Sequence, residues 1–154
     1  MTNTELVNKF YTAFQQNNAE EMISCYHDEV EFSDPAFGEL HGEKAKNMWK
    51  MLCQNSNELK IEFSDVESDE YSGSAQWQAS YSFGKTGRKV HNVINARFEF
   101  KDEKIIKHTD TFNLRKWAGQ AMGFKGYLFG WTFFFRKNLQ LQTNYMLDKY
   151  IQSN

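Results

Sequence analysis

Lys89-Val90-His91-Asn92-Val93-Ile94-Asn95-Ala96-Arg97-Phe98-Glu99-Phe100 decides the fold class. Apolar and polar side chains alternate along it, so neighbouring residues fall on opposite sides of an extended backbone. Ile94, Ala96, Phe98 and Phe100 share one face; Asn95, Arg97 and Glu99 share the other. The same period of two recurs over residues 59–66, 75–83 and 104–114, with Trp77, Tyr81 and Phe83 on one face of the second run. Ser72-Gly73, the Gly84 to Gly87 stretch and Lys101-Asp102-Glu103 punctuate these runs. Connections this short join antiparallel neighbours, so the four runs make an antiparallel meander.

Upstream the period changes. From Thr4, read as an N-cap, Leu6, Val7, Phe10, Tyr11 and Phe14 recur at the spacing of a buried helical stripe, which Asn17-Asn18 ends. Asn18 and Glu21 have the form of a capping box, and Met22, Ile23 and Tyr26 supply the apolar face of a second, short helix. Val30 and Phe32 alternate with Glu31 and Ser33 in a short strand that runs into Ser33-Asp34-Pro35. Ala45, Met48, Trp49 and Leu52 mark a third helix after Gly42, and a polar loop covers residues 54–58. Helices gathered first and strands later make an α+β fold. A single domain is expected over residues 1–154, with N-terminal helices packed on the concave face of a curved, cone-shaped antiparallel sheet that encloses an apolar hollow.

Residues 115–154 form an aromatic and amphipathic extension. Its Gly126 to Phe135 run is ten residues long, about half of the roughly 20 needed to span a bilayer, so no transmembrane segment is expected. The pattern continues through Arg136-Lys137 into Leu139, Leu141, Met146, Leu147, Tyr150 and Ile151, as a terminal helix would. The first reading is a flap that covers the sheet or fills a homodimer interface; contact of residues 126–151 with a membrane surface is the alternative.

Composition excludes several classes. With 14 Phe, 7 Tyr and 4 Trp but one proline in 154 residues, the chain is neither disordered nor collagen-like. Eighteen Lys plus Arg against 20 Asp plus Glu leave a net charge of −2, without the basic excess that nucleic acid binding requires. Cys25 and Cys53 lack any C-x-x-C partner, and His27, His41, His91 and His108 are scattered, so reduced buried thiols and no metal are expected. The phosphate-binding, dinucleotide and nucleophile-elbow motifs are absent, and no cofactor is expected. Residues 1–10 lack a signal-peptide pattern, which suggests a cytoplasmic protein.

The stretch Asp28-Glu29-Val30-Glu31-Phe32-Ser33-Asp34-Pro35-Ala36-Phe37-Gly38-Glu39-Leu40-His41-Gly42, with Ile105-Ile106-Lys107-His108-Thr109-Asp110-Thr111-Phe112, resembles the SnoaL-like branch of the nuclear transport factor 2-like superfamily. That superfamily includes ketosteroid isomerases, polyketide cyclases and limonene-epoxide hydrolases, and the likeness covers about residues 4–114. By this resemblance Asp34 matches the catalytic base of the isomerases. Asn95 falls where they carry a protonated aspartic acid, and it preserves a hydrogen-bond donor. Their tyrosine donor falls at Phe10, with Tyr11 next to it on a different face, which leaves the oxyanion site one donor short. Asp110 matches the acid and base of the cyclases. Of the two aspartates bridged by arginine in the hydrolases, Arg97 and Asp110 supply half, and Asn95 lacks the other carboxylate.

Each candidate also has a plainer reading. Asp34 before Pro35 is common turn chemistry. Asp110, His108 and Arg97 together read as an ion cluster that holds strands in register. Which face of residues 89–100 looks inward stays open. Three functions follow. One is a cofactor-free isomerase or cyclase for an apolar carbonyl compound, with Asp34 or Asp110 as base and Asn95, helped by His108 or Arg97, at the enolate oxygen. In that case Phe10, Tyr11, Phe14, Phe32, Trp49 and Phe112 contact the ligand. The second is a module that binds a small apolar ligand without reaction; the third is an interaction protein built on a homodimer.

Overall fold

The computed structural model describes residues 1–55 and 58–154, so the expected 54–58 loop lies partly outside the described residues. Helices α1 (Asn3–Gln15) and α2 (Ala19–Ser24) precede strands β1 (Tyr26–Asp34) and β2 (Gly38–His41) and helix α3 (Glu43–Gln54). Strands β3 (Lys60–Ser68), β4 (Ser72–Ser82), β5 (Lys89–Lys101) and β6 (Lys104–Thr111) follow, and α4 (Leu114–Met122), α5 (Phe124–Phe129) and α6 (Phe133–Ser153) close the chain. The sheet order is β2-β1-β6-β5-β4-β3.

β3 to β6 form the expected antiparallel meander. β1 joins it in parallel beside β6, with one helix and four strands between the two in sequence, and β2 is a hairpin return the sequence reading passed over. The sheet is therefore mixed. Asp102 and Glu103 turn β5 into β6 with φ of 54° and 62°, the paired left-handed geometry of a two-residue hairpin loop.

Local capping differs from the sequence reading in one place. Thr2, not Thr4, caps α1, with the Glu5 amide donating to Thr2 Oγ1 at 3.1 Å and the Glu5 carboxylate accepting from the Thr2 amide at 3.1 Å. Thr4 instead bonds Ser68 on β3 at 2.6 Å. Asn18 caps α2 as expected. Tyr26 leaves that helix, begins β1 and points into the core.

α1, α2 and α3 bury Leu6, Val7, Phe10, Phe14, Met22, Met48 and Trp49 against the inner face of the sheet. Aromatic rings pack the inner face: Phe10, Phe32, Trp49 and Phe98 surround the His108 ring at centroid distances of 4.6 to 5.9 Å. Phe14, Trp49 and Trp77 close the remainder at 5.2 to 6.4 Å. A second apolar cluster, built on Val90, Leu114, Trp117, Ala118, Ala121 and Leu139, shares Ala36, Tyr81 and Phe112 with the first.

The extension takes an unexpected form. α5 turns glycines inward: a Cβ on Gly126 would collide with the Ala118 carbonyl oxygen, and one on Gly130 would meet Ala118 Cβ at 2.8 Å. Tyr127, Phe129, Trp131, Phe133 and Phe134 of that run consequently face out, and Phe135 packs half-buried against the second cluster. α6 does reach the core, through Leu139 and Leu147, whereas Leu141 and Met146 stay exposed.

Candidate functional site

Strand register brings two carboxylates together. Phe32 lies beside His108 and Ser33 beside Thr109 in the parallel β1–β6 pair, so the next residues along each strand, Asp34 and Asp110, share the inner face. Their proximity shows electrostatically, because the charge of Asp110 raises the Asp34 pKa.

Asp34 ends β1 at a tight turn. Its Oδ1 accepts from the Ala36 amide at 2.9 Å and the Phe37 amide at 2.6 Å, the Asx arrangement anticipated for Asp before Pro35. Enclosure away from water nonetheless dominates, and with the Asp110 charge it lifts the carboxyl from 3.8 to about 7 against those two amides. Three side chains of α6 grip the same turn: Gln140 donates to the Pro35 carbonyl at 3.2 Å, Thr143 to Ala36 at 2.8 Å and Asn144 to Phe37 at 2.8 Å. Tyr81 belongs to this end of the cone as well. Its hydroxyl accepts from Trp117 Nε1 at 2.7 Å, and burial first, then the Asp34 charge, raises its pKa.

Deeper in the cone runs a chain of buried polar groups. Trp49 Nε1 donates to Tyr26 Oη at 2.8 Å, Tyr26 Oη meets His108 Nδ1 at 2.7 Å, and His108 Nε2 meets Asp110 Oδ1 at 2.9 Å. Trp77 Nε1 donates to that same oxygen at 3.3 Å. Burial raises the Tyr26 pKa well above its ordinary value, so its hydroxyl keeps its proton. Tyr26 Oη has lone pairs for Trp49 Nε1, and Asp110 Oδ1 has lone pairs for both His108 Nε2 and Trp77 Nε1, so every heteroatom of the chain has a partner. His108 is fully buried and Asp110 is 3% exposed, so this network sits in the core and not at the solvent.

Tyr11 is the exception to satisfaction. Its hydroxyl is buried with no hydrogen-bond partner, although its ring packs against Phe63, Trp77 and Phe98. Burial, and after it the charge of Asp110, pushes its pKa well up, which keeps it a neutral donor near that carboxylate. An orphaned buried hydroxyl costs about 1–3 kcal/mol, and a group left in that state calls for an explanation.

Of the residues singled out from sequence, Asp34, Asp110 and His108 converge, with Phe10, Tyr11, Phe14, Phe32 and Trp49 around them and Phe112 half-buried between the two apolar clusters. Asn95 and Arg97 do not join them. They pair with Thr111 and Thr109 and fall on the exposed face, because Ala96 and Phe98 take the inward positions of β5. Asn95 there accepts from Gln76 at 3.5 Å, and Arg97 lines an open surface groove of about 610 Å³ with Glu67, Asp69 and Lys107. Neither Asp34 nor Asp110 lines that groove. Tyr26 was missed as a site residue because its apolar neighbours made it read as helix; the hydroxyl signal lay in its pairing with a distant strand.

Among the described residues, Glu31, Glu39 and His41 have metal-capable atoms within 4.8 Å of one another. They point away from Asp34, and His41 pairs with Glu39 at 2.9 Å on the rim. Cys25 and Cys53 are buried, and burial pushes the Cys53 thiol up to about 11.

Comparison with known proteins agrees with this architecture. No curated protein matches the chain. Among solved structures, an NTF2-like protein of unknown function from Burkholderia pseudomallei superposes with a TM-score of 0.67 at 13% identity, covering 79% of this chain and 99% of its own. A candidate polyketide cyclase from Pseudomonas putida gives 0.63 at 20% identity, covering 79% and 98%. An LEH-like epoxide hydrolase from M. tuberculosis gives 0.60 at 17%, covering 82% and 89%. At such identities the likeness is one of fold. The sequence itself matches the SnoaL-like domain over residues 7–108, two helices, the β1–β2 hairpin, α3 and the meander as far as His108, and so the chain belongs to the SnoaL-like family.

Proposed function

We propose that the protein is a cofactor-free enzyme that moves a proton on an apolar carbonyl compound, with Asp34 as the base. One observation carries the reading: a carboxyl group lifted to about 7 at the end of an aromatic cone. A base that titrates near neutrality is matched to abstracting a proton beside a carbonyl, whereas an ordinary carboxylate is too weak. Asp110, fixed by His108 and Trp77, holds a negative charge beside Asp34 and keeps its proton affinity high. Tyr11, neutral and without a partner, is the donor left over for a developing oxyanion. Family membership and the fold shared with polyketide cyclase and epoxide hydrolase structures agree with ligand chemistry inside the cone, without naming the substrate.

The test follows loss of deuterium from carbon next to the carbonyl in a panel of cyclic ketones, read by NMR. Asp34→Asn keeps the oxygen that accepts from Ala36 and Phe37 and removes the base, so exchange falls about 100-fold or more. In the parent, exchange rises with pH and levels off above about 7, as Asp34 ionises. Tyr11→Phe lowers exchange while leaving stability equal or higher, because it deletes an unsatisfied hydroxyl. Unchanged exchange in Asp34→Asn removes the proposal. A second reading, a module without catalysis, is favoured by the ring-filled interior around His108. It predicts no exchange in the parent at any pH.

A further inference from the structure

The rings of the extension form an exposed band. Phe124, Phe133 and Phe134 are 75–77% exposed, Trp131 68% and Phe129 57%, all within eleven consecutive residues. The inward glycines that seat α5 on α4 hold this band outside the core. Its charge is one-sided. Between Thr111 and Asp148 the chain has no carboxylate side chain but carries Arg115, Lys116, Lys125, Arg136 and Lys137, in a protein whose net charge is −2. Cations and rings adjoin: the Arg115 guanidinium lies 4.2 Å from the Tyr127 ring centre, and a shallow hollow of about 380 Å³ is lined by Arg88, Lys116, Phe124 and Tyr127. No helix among the described residues is long and apolar enough to cross a membrane.

We propose that this band is a docking surface for an anionic lipid bilayer. Aromatic rings are favoured at the depth of lipid headgroups, and basic side chains beside them are drawn to acidic phospholipid. A protein partner of ordinary mixed charge would not require an extension purged of carboxylates over this length. The rings enter the interfacial layer, the cations face headgroup phosphates, and the sheet and the Asp34 turn stay on the water side. The proposal is independent of the proton-transfer reading.

The full chain is tested by co-sedimentation with phosphatidylcholine vesicles, with and without phosphatidylserine. Binding is expected to strengthen about tenfold or more with phosphatidylserine and to fall again in high salt. Three of the four tryptophans, Trp49, Trp77 and Trp117, are buried, so the emission blue shift on binding reports Trp131. Trp131→Phe abolishes the shift and retains sedimentation. Phe133→Ser with Phe134→Ser, at side chains that touch no core cluster, loses vesicle binding with an unchanged circular dichroism spectrum. Absence of binding to either vesicle overturns the proposal. So does a double variant that binds like the parent, or light scattering that shows the band buried in a dimer which only the double variant dissociates. Asp34→Asn binds vesicles normally, which separates this outcome from the enzyme test.

Discussion

Asp34 holds its proton more tightly in the folded chain than in the unfolded one, and this fixes how it affects stability. Between about pH 4 and 7 the folded state binds the extra proton, so the Asp34 contribution weakens as pH rises through that window and stays constant above it. A rise from 3.8 to about 7 corresponds to roughly 4 kcal/mol at most. Urea unfolding of parent and Asp34→Asn across this range is therefore expected to show the variant gaining on the parent toward neutral pH, and a constant difference would refute the assignment. Asp34 and Asp110 were legible as a pair because they lie on strands that pair in this fold. Asn95 and Arg97 were misplaced, although the alternation of Ile94, Ala96, Phe98 and Phe100 already put them on the other face. The Tyr11 orphan was not legible, since hydrogen-bond satisfaction depends on contacts between distant segments.

At the scale of elements, the helices and the meander could be read from their periods, and the errors fell where short segments carry little pattern. β2 is four residues long, too few for alternation to show, and α4 begins at Leu114, within the run first read as strand. The β5–β6 hairpin was visible only as Lys101-Asp102-Glu103; its demand for positive φ at Asp102 and Glu103 was not. Glu103 has a Cβ in a region that glycine occupies freely. Glu103→Gly is accordingly expected to stabilise the protein by about 0.5–1 kcal/mol, seen as a Tm rise of about 2–4 °C at most, while Asp102 keeps its contact with His27. A fall in Tm would show that the turn is not strained.

For the whole molecule, the extension is both covering and surface. Composition could announce its aromatic richness but not its orientation, because Gly126 and Gly130 decide which way the rings turn, and glycine carries no hydropathy signal. Leu147, fully buried in the main cluster, ties the last helix to the domain. Leu147→Ala is expected to cost about 2–5 kcal/mol, read as a lowered urea midpoint with little change in slope. An unaltered midpoint would mean that α6 is dispensable to the fold.

α6 starts at Phe133, amid the outward rings, and about 15 Å further along its axis its Thr143 holds the carbonyl of Ala36. A helix is stiff over that length, so it works as a lever arm. Any force that tilts its ring-bearing tip is transmitted to the peptide groups that aim the Asp34 carboxylate.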